Sequence, residues 1–284
     1  MLSLFRTSIL KSIFFVVSTL LPSYTFSDVI IVSPPQEKAL TIARKIKENI
    51  NTPTKIVSTL NQTNTSDIII TLGKEALDQV TKKPHAFLIS SFINPLDRSV
   101  HYNKYGIISH SIYSEPSPDK ISYFLISHFK NQKIGLIYTS EEKVIIDEIK
   151  IQLSQSSTDL ISIKYSGDIF KDIRNLKNHN IDLLLLTKNR NIYQPRNVAV
   201  ILRSLFTKQI PVIATSKSLL KTGATVAVIP SEDSIIKKTY NLANQILSGE
   251  NANKSGHHYV SDMDIYTNKT MADVYNVDIR ENLK

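Results

Sequence analysis

Residue types able to do chemistry are sparse in this 284-residue chain, and their spacing argues against a catalytic centre. Its seven histidines are His85, His101, His110, His128, His179, His257 and His258, and none falls into HExxH or a comparable ligand spacing. His257-His258 with Asp262 and Asp264 is the one cluster that could hold a metal. Neighbouring residues on a strand face opposite sides, so the two imidazoles do not easily reach one ion, and a solvated linker is the better reading. Glu141-Glu142 and Glu232-Asp233 each follow an apolar run and open a helix-like stretch, where carboxylates favour the helix N-terminus. There is no GxSxG elbow, no GxGxxG and no phosphate loop; Leu72-Gly73-Lys74 lacks the upstream glycine and the following hydroxyl. The absence of cysteine excludes thiolate catalysis, disulfides and cysteine metal sites. The residues therefore predict a binding protein, with no catalytic residue, metal or cofactor.

A series of small polar positions remains, each just past an apolar run. In open α/β sheets, ligands settle beyond the carboxyl ends of the strands, beside helix N-termini. Those positions here are Ser33, Gly73, Lys74, Ser90, Ser91, Ser109, Tyr138, Thr139, Thr187, Asn189, Thr215, Ser231 and Glu232. Taken singly, each hydroxyl or amide serves as well as a cap for the helix that follows. As a set drawn from both halves of the chain, they describe two facing rims of a cleft suited to a small polar ligand.

The elements that must position them alternate along the chain. Apolar, β-branched runs occupy 28–32, 54–58, 67–71, 86–90 and 106–109, then 133–138, 160–164, 181–186, 211–214 and 225–229. Several are continuous rather than alternating, as expected of strands covered on both faces. Helical spacing covers 37–50, 140–153, 168–178, 194–207 and 233–247, the last ending at Ser248-Gly249. Alternating strand and helix predicts parallel, doubly wound sheets. Ten runs are too many for one open sheet, and they divide five and five near Tyr113–Asp119, where Pro116 and Pro118 interrupt the pattern. The expected fold is α/β, with two Rossmann-like lobes, each a parallel sheet flanked by helices, connected by a hinge.

The N-terminus places the protein. Arg6 and Lys11 precede an apolar run ending at Leu21, Pro22 breaks it, and Thr25-Phe26-Ser27 precedes Asp28. That order predicts a cleaved secretory signal over 1–27 and a periplasmic mature protein; the run is short for a membrane span. Without cysteine there is no lipoprotein anchor. The net charge of +9 is spread rather than clustered, with no basic stripe interleaved with aromatics, so nucleic acid is not an expected partner. A mild preference for an anionic ligand or surface follows.

The order Lys133–Tyr138, Ile181–Thr187, Ile210–Ala214, Gly223–Val228 and Ile246–Glu250 resembles the substrate-binding proteins of ABC transporters, in particular tryptophan- and tyrosine-binding-like members. Met263–Ala272 is similar to that family's closing strand and Asn-x-x-x-Ala helix start, and Asn94-Pro95 to its Asn/Asp-Pro step. The chain departs from the pattern at Leu96–Tyr105, which lacks glycine, and at Lys188-Asn189, where an acid is replaced by a base. The resemblance implies a type I periplasmic-binding fold with three crossings between lobes. Lobe 1 would comprise 28–115 with a return over about 230–254. Lobe 2 would comprise 116–229 with a C-terminal segment over about 255–284, the last crossing lying near His257. It further implies a monomer that binds a small polar ligand, amino-acid-like or anionic, and delivers it to an ABC permease at the inner membrane. The alternative is a periplasmic sensor or adaptor of the same fold that binds a protein partner.

Overall fold

Continuous apolar runs are costly to leave at a surface, and Ile68–Leu72 and Leu183–Leu186 are buried at every position in the middle of a sheet. The computed structural model describes residues 28–60, 68–82, 87–250, 253 and 255–279. The expected signal segment over 1–27, and the first residues of the expected runs at 67 and 86, lie outside these described residues. In chain order the strands are β1 (Val29–Val32), β2 (Thr54–Val57), β3 (Ile68–Leu72), β4 (Phe87–Ile93), β5 (His110–Tyr113) and β6 (Lys133–Tyr138). They continue as β7 (Asp159–Lys164), β8 (Leu183–Leu186), β9 (Val212–Ala214), β10 (Val226–Pro230), β11 (Gly256–His258) and β12 (Met263–Thr267). The helices are α1 (Glu37–Glu48), α2 (Lys74–Leu77), α3 (Pro95–Tyr105), α4 (Pro118–His128) and α5 (Lys143–Ser154). They are followed by α6 (Ile169–Asn178), α7 (Pro195–Phe206), α8 (Lys217–Thr222), α9 (Glu232–Leu247) and α10 (Lys269–Tyr275).

Two six-stranded sheets result, with orders β11-β5-β4-β3-β1-β2 and β12-β10-β9-β8-β6-β7. The described pairings are parallel except β12, which runs antiparallel to β10. Each sheet carries apolar clusters on both faces, so this is the expected pair of α/β lobes. The two strands beyond the ten expected runs are β11 and β12, one added to each sheet edge.

The chain crosses between lobes after β5, after β10 and after β11. After the second crossing, α9 returns to lobe 1 and packs on α1. There Lys45 pairs with Asp233 at 3.2 Å, and Asn244 exchanges bonds with the backbone of Asn49 and Asn51. A buried 2.7 Å bond between Ser91 and Thr239 hydroxyls ties α9 to β4.

One expectation is corrected here. The fifth strand is His110–Tyr113, not 106–109. Asn94 and Asp97 form a capping box with Pro95 at the first helical position, so α3 occupies the glycine-free stretch and ends at Gly106 in the left-handed conformation. Ile107 is buried, which gives this connection the apolar look of a strand. Gly256–His258 pairs with β5 in the first sheet, and the final crossing leads off directly after His258.

Candidate functional site

The carboxyl ends of the second sheet converge on two carboxylates. Thr139 follows β6 and forms a capping box with Glu142, whose Oε2 accepts from the Thr139 N–H at 2.9 Å. Past β8, Thr187 Oγ1 donates to Glu142 Oε1 at 2.9 Å, and Asn189 Nδ2 donates to Glu142 Oε2 and, at 3.1 Å, to Thr139 Oγ1. Glu142 is 8% exposed, so this net of donors is what permits a carboxylate there. Glu115, in the first crossing, accepts from the Lys188 N–H at 2.7 Å and from Thr215 Oγ1 at 3.2 Å. Burial pushes the Glu115 carboxyl above its usual value, against the Lys188 N–H and ammonium.

Lys188 joins the lobes. Its Nζ donates to Ser114 Oγ at 2.8 Å, and its carbonyl accepts from Asn94 Nδ2, at the tip of α3 in lobe 1, at 3.3 Å. Burial holds the ammonium below its ordinary value, with the charges of Glu115 and Asp97 opposing that shift. Burial likewise raises Asp97, against the Asn94 N–H and the cations Arg190, Lys188 and Lys74. Two hollows flank Lys188. One, of ≈ 550 Å³ counting its open mouth, is lined by the polar residues Asn94, Glu115, Glu142, Thr187, Asn189, Thr215 and Tyr259 together with Ile121, Ile145, Ile146 and Ile149. The other, of ≈ 510 Å³, is lined by Gly73, Lys74, Phe92, Asp97, Lys188 and Arg190. Phe92 stands at φ 60 where β4 is bulged between Ser91 and Ile93, a strained backbone in the wall of the cleft.

Of the positions singled out by sequence, Thr187, Asn189 and Thr215 line the first hollow, and Thr139 stands behind it, bonded to Glu142 and Asn189, with half-buried Tyr138 just before it on β6; Gly73 and Lys74 line the second. The others lie elsewhere. Ser33, Ser90 and Ser91 are buried within lobe 1, Ser33 turning its hydroxyl to the Pro34 carbonyl. Ser109 precedes β5 at the amino end of the sheet and bonds Ser111, because the strand starts later than expected. Ser231 and Glu232 begin α9. The Ser231 N–H bonds the Asp262 carbonyl, and Glu232 pairs with Lys38 at the surface. Sequence reading passed over Glu115, hidden in the Pro-interrupted stretch, and took Glu142 for a helix cap alone. An acid wedged between an apolar strand and Pro116 was the available signal.

His257 and His258 occupy opposite faces of β11, as strand alternation requires. Among the described residues, no group of three or more histidines and carboxylates is placed to hold a metal. Nor is any helix among them long and apolar enough to cross a membrane.

Two parallel-sheet lobes, crossed three times and enclosing a polar cleft at the strand ends, define a type I periplasmic-binding fold. Solved structures share it. A Streptococcus pneumonia ABC domain in complex with L-Trp aligns with TM-score 0.58 at 13% identity, covering 89% of this chain and 96% of that one. The ligand-free, open form of CD0873, a substrate binding protein with adhesive properties from Clostridium difficile, aligns with TM-score 0.65 at 16% identity, over 90% and 97%. A conserved domain protein from Vibrio cholerae gives 0.58 at 13%, over 90% and 96%. The search of curated proteins finds no match. The family model for ABC transporter substrate binding proteins matches residues 115–284, and the chain belongs to that family.

Proposed function

We propose that this chain captures a small polar solute between its lobes and delivers it to an ABC-type importer. The observation that carries the reading is the convergence of both lobes and the first crossing on one polar cleft: Asn94 from lobe 1, Glu115 from the crossing, and Thr187, Lys188, Asn189 and Thr215 from lobe 2. Family membership supports the role, and the L-Trp complex of the Streptococcus pneumonia protein supports a small ligand. On this reading the protein is exported by cleavage ahead of Asp28, works in the periplasm as a monomer, and acts by binding rather than turnover. Its partner is an inner-membrane permease. Gly73 and Lys74 would contribute from the lobe 1 rim. Closure is a shift toward the state in which both lobes touch the solute.

A second reading is favoured by a specific feature. Lys188, Glu115 and Asn94 already partner one another across the cleft. A cleft so satisfied suits a sensor or adaptor of the same fold that docks on a protein.

A thermal-shift screen of amino acids, nucleosides, sugars and anions separates the two. A true solute at a hundredfold excess over its Kd stabilises by about 2.7 kcal/mol. A flat response over the whole panel sinks the solute reading and leaves the adaptor.

A further inference from the structure

β11 is three residues long, lies at the edge of the first sheet, and leads directly into the last crossing between the lobes. So short an edge strand has few backbone bonds to hold it, and its side chains supply the remainder. On one face His258 Nε2 lies 3.2 Å from His110 Nδ1 on β5, while His110 Nε2 lies 2.6 Å from the Asn253 carbonyl oxygen. A carbonyl only accepts, so the network assigns a proton to His110 Nε2 and makes Nδ1 of the neutral ring the acceptor for His258 Nε2–H. On the other face the Tyr113 hydroxyl lies 2.5 Å from His257 Nδ1. Burial pushes the Tyr113 phenol up to about 12, so the phenol donates and the imidazole accepts. Gly256 is fitted to this arrangement: a Cβ there would stand 2.8 Å from His258 Nε2 and 3.0 Å from His110 Nδ1.

The His258–His110 and Tyr113–His257 contacts each depend on an imidazole lone pair, whereas the bond from His110 Nε2–H to the Asn253 carbonyl does not. Two fully protonated rings cannot face each other at 3.2 Å, and a protonated His257 Nδ1 cannot accept from Tyr113. We propose that β11 is an acid-released clasp: the neutral imidazoles of His110, His257 and His258 fasten the last crossing to lobe 1, and their protonation frees it.

The surroundings act in the same direction. Lys238 on α9 faces His258, and Arg98 on α3 faces both His257 and Tyr113. Tyr259 packs on Tyr113 with ring centroids 4.8 Å apart, and Glu115, Glu148 and Asp119 act on that tyrosine. The charged groups facing the imidazoles are thus cations. Burial lowers His110 and His257, and burial with Lys238 and the other imidazoles lowers His258 to about 4. Released rings return to about 6.5, so the open state takes up protons first. The clasp is complete above about pH 6.5 and is lost as pH falls from there toward about pH 4.

Hydrogen–deuterium exchange of the purified protein tests this, read for the peptide over Gly256–Asp262 against that over Val29–Val32. After correction for intrinsic exchange, opening of the β11 peptide should rise by up to about tenfold per pH unit for each proton taken up, between about pH 6.5 and about pH 4.5. The β1 peptide should hold its protection over that range. The double substitution His110→Gln and His258→Gln keeps amide hydrogen bonding without titration, and should flatten most of the slope. A pH-independent β11 peptide in the wild type, an unchanged slope in the double variant, or loss of protection in β1 and β11 together would each overturn the clasp. Imidazole NMR of the wild type is independent of variant folding: His110 and His258 titrating near 6.5 would overturn it as well.

Discussion

The rims of the two lobes carry similar residues and treat them differently. In lobe 2, hydroxyls and amides past the strands are gathered by carboxylates: Thr139, Thr187 and Asn189 around Glu142, and Thr215 with the Lys188 N–H around Glu115. In lobe 1, Thr71 and Ser90 sit in register on adjacent strands, fully buried, and their hydroxyl oxygens have no hydrogen-bond partner. A buried donor or acceptor without a partner carries its whole desolvation cost, whereas one bonded to a carboxylate more than recovers it. Lobe 2 therefore presents a fixed polar surface to the cleft, while lobe 1 closes on it with the tip of α3 and a strained Phe92.

The sharpest way to break this contrast is Glu142→Ala. It strands Thr187, Asn189 and the Thr139 N–H at once, and urea denaturation should show a loss of about 3 kcal/mol. A loss no larger than that of a surface alanine would mean that the network contributes little. In lobe 1 the expected sign is reversed. Replacing Thr71 by Val, or Ser90 by Ala, removes an unpartnered hydroxyl and should stabilise by up to about 1 kcal/mol in the same assay. A clear destabilisation would show that these hydroxyls are bonded in solution. The smallest effect belongs to Glu115→Gln. The amide oxygen can still accept from the Lys188 N–H and Thr215, so the change at neutral pH should stay within about 1 kcal/mol. Because burial raises the Glu115 pKa, its ionisation costs stability as pH climbs above the usual carboxylate range. The glutamine variant should lack that dependence, and identical pH profiles for the two proteins would refute it.

Much of the architecture was legible in the chain itself. Ile68–Leu72 and Leu183–Leu186 announce doubly covered strands by their unbroken apolar character, and both are buried at every position. The helices at 169–178 and 195–206 fall within one residue of their expected bounds. The fifth strand was misplaced because buried Ile107 imitates strand periodicity in a stretch that serves as a connection. α4 escaped notice because Pro118 at its start read as a linker, although proline suits the first turn.

The candidate site was legible in part and for a different reason. Polar residues past apolar runs marked Thr139, Thr187, Asn189 and Thr215, since strand ends are a local feature. The pairing of Glu115 with Lys188 joins positions 73 apart, and that of Glu142 with Thr187 joins positions 45 apart. No local pattern encodes such a meeting. By itself the sequence determined a cysteine-free, two-lobed α/β protein with polar strand ends. The order in which the strands pair decided which of those ends share a carboxylate. Helix and strand periodicities are set by neighbours a few residues apart, but a cleft is assembled from side chains that only the completed sheets bring together.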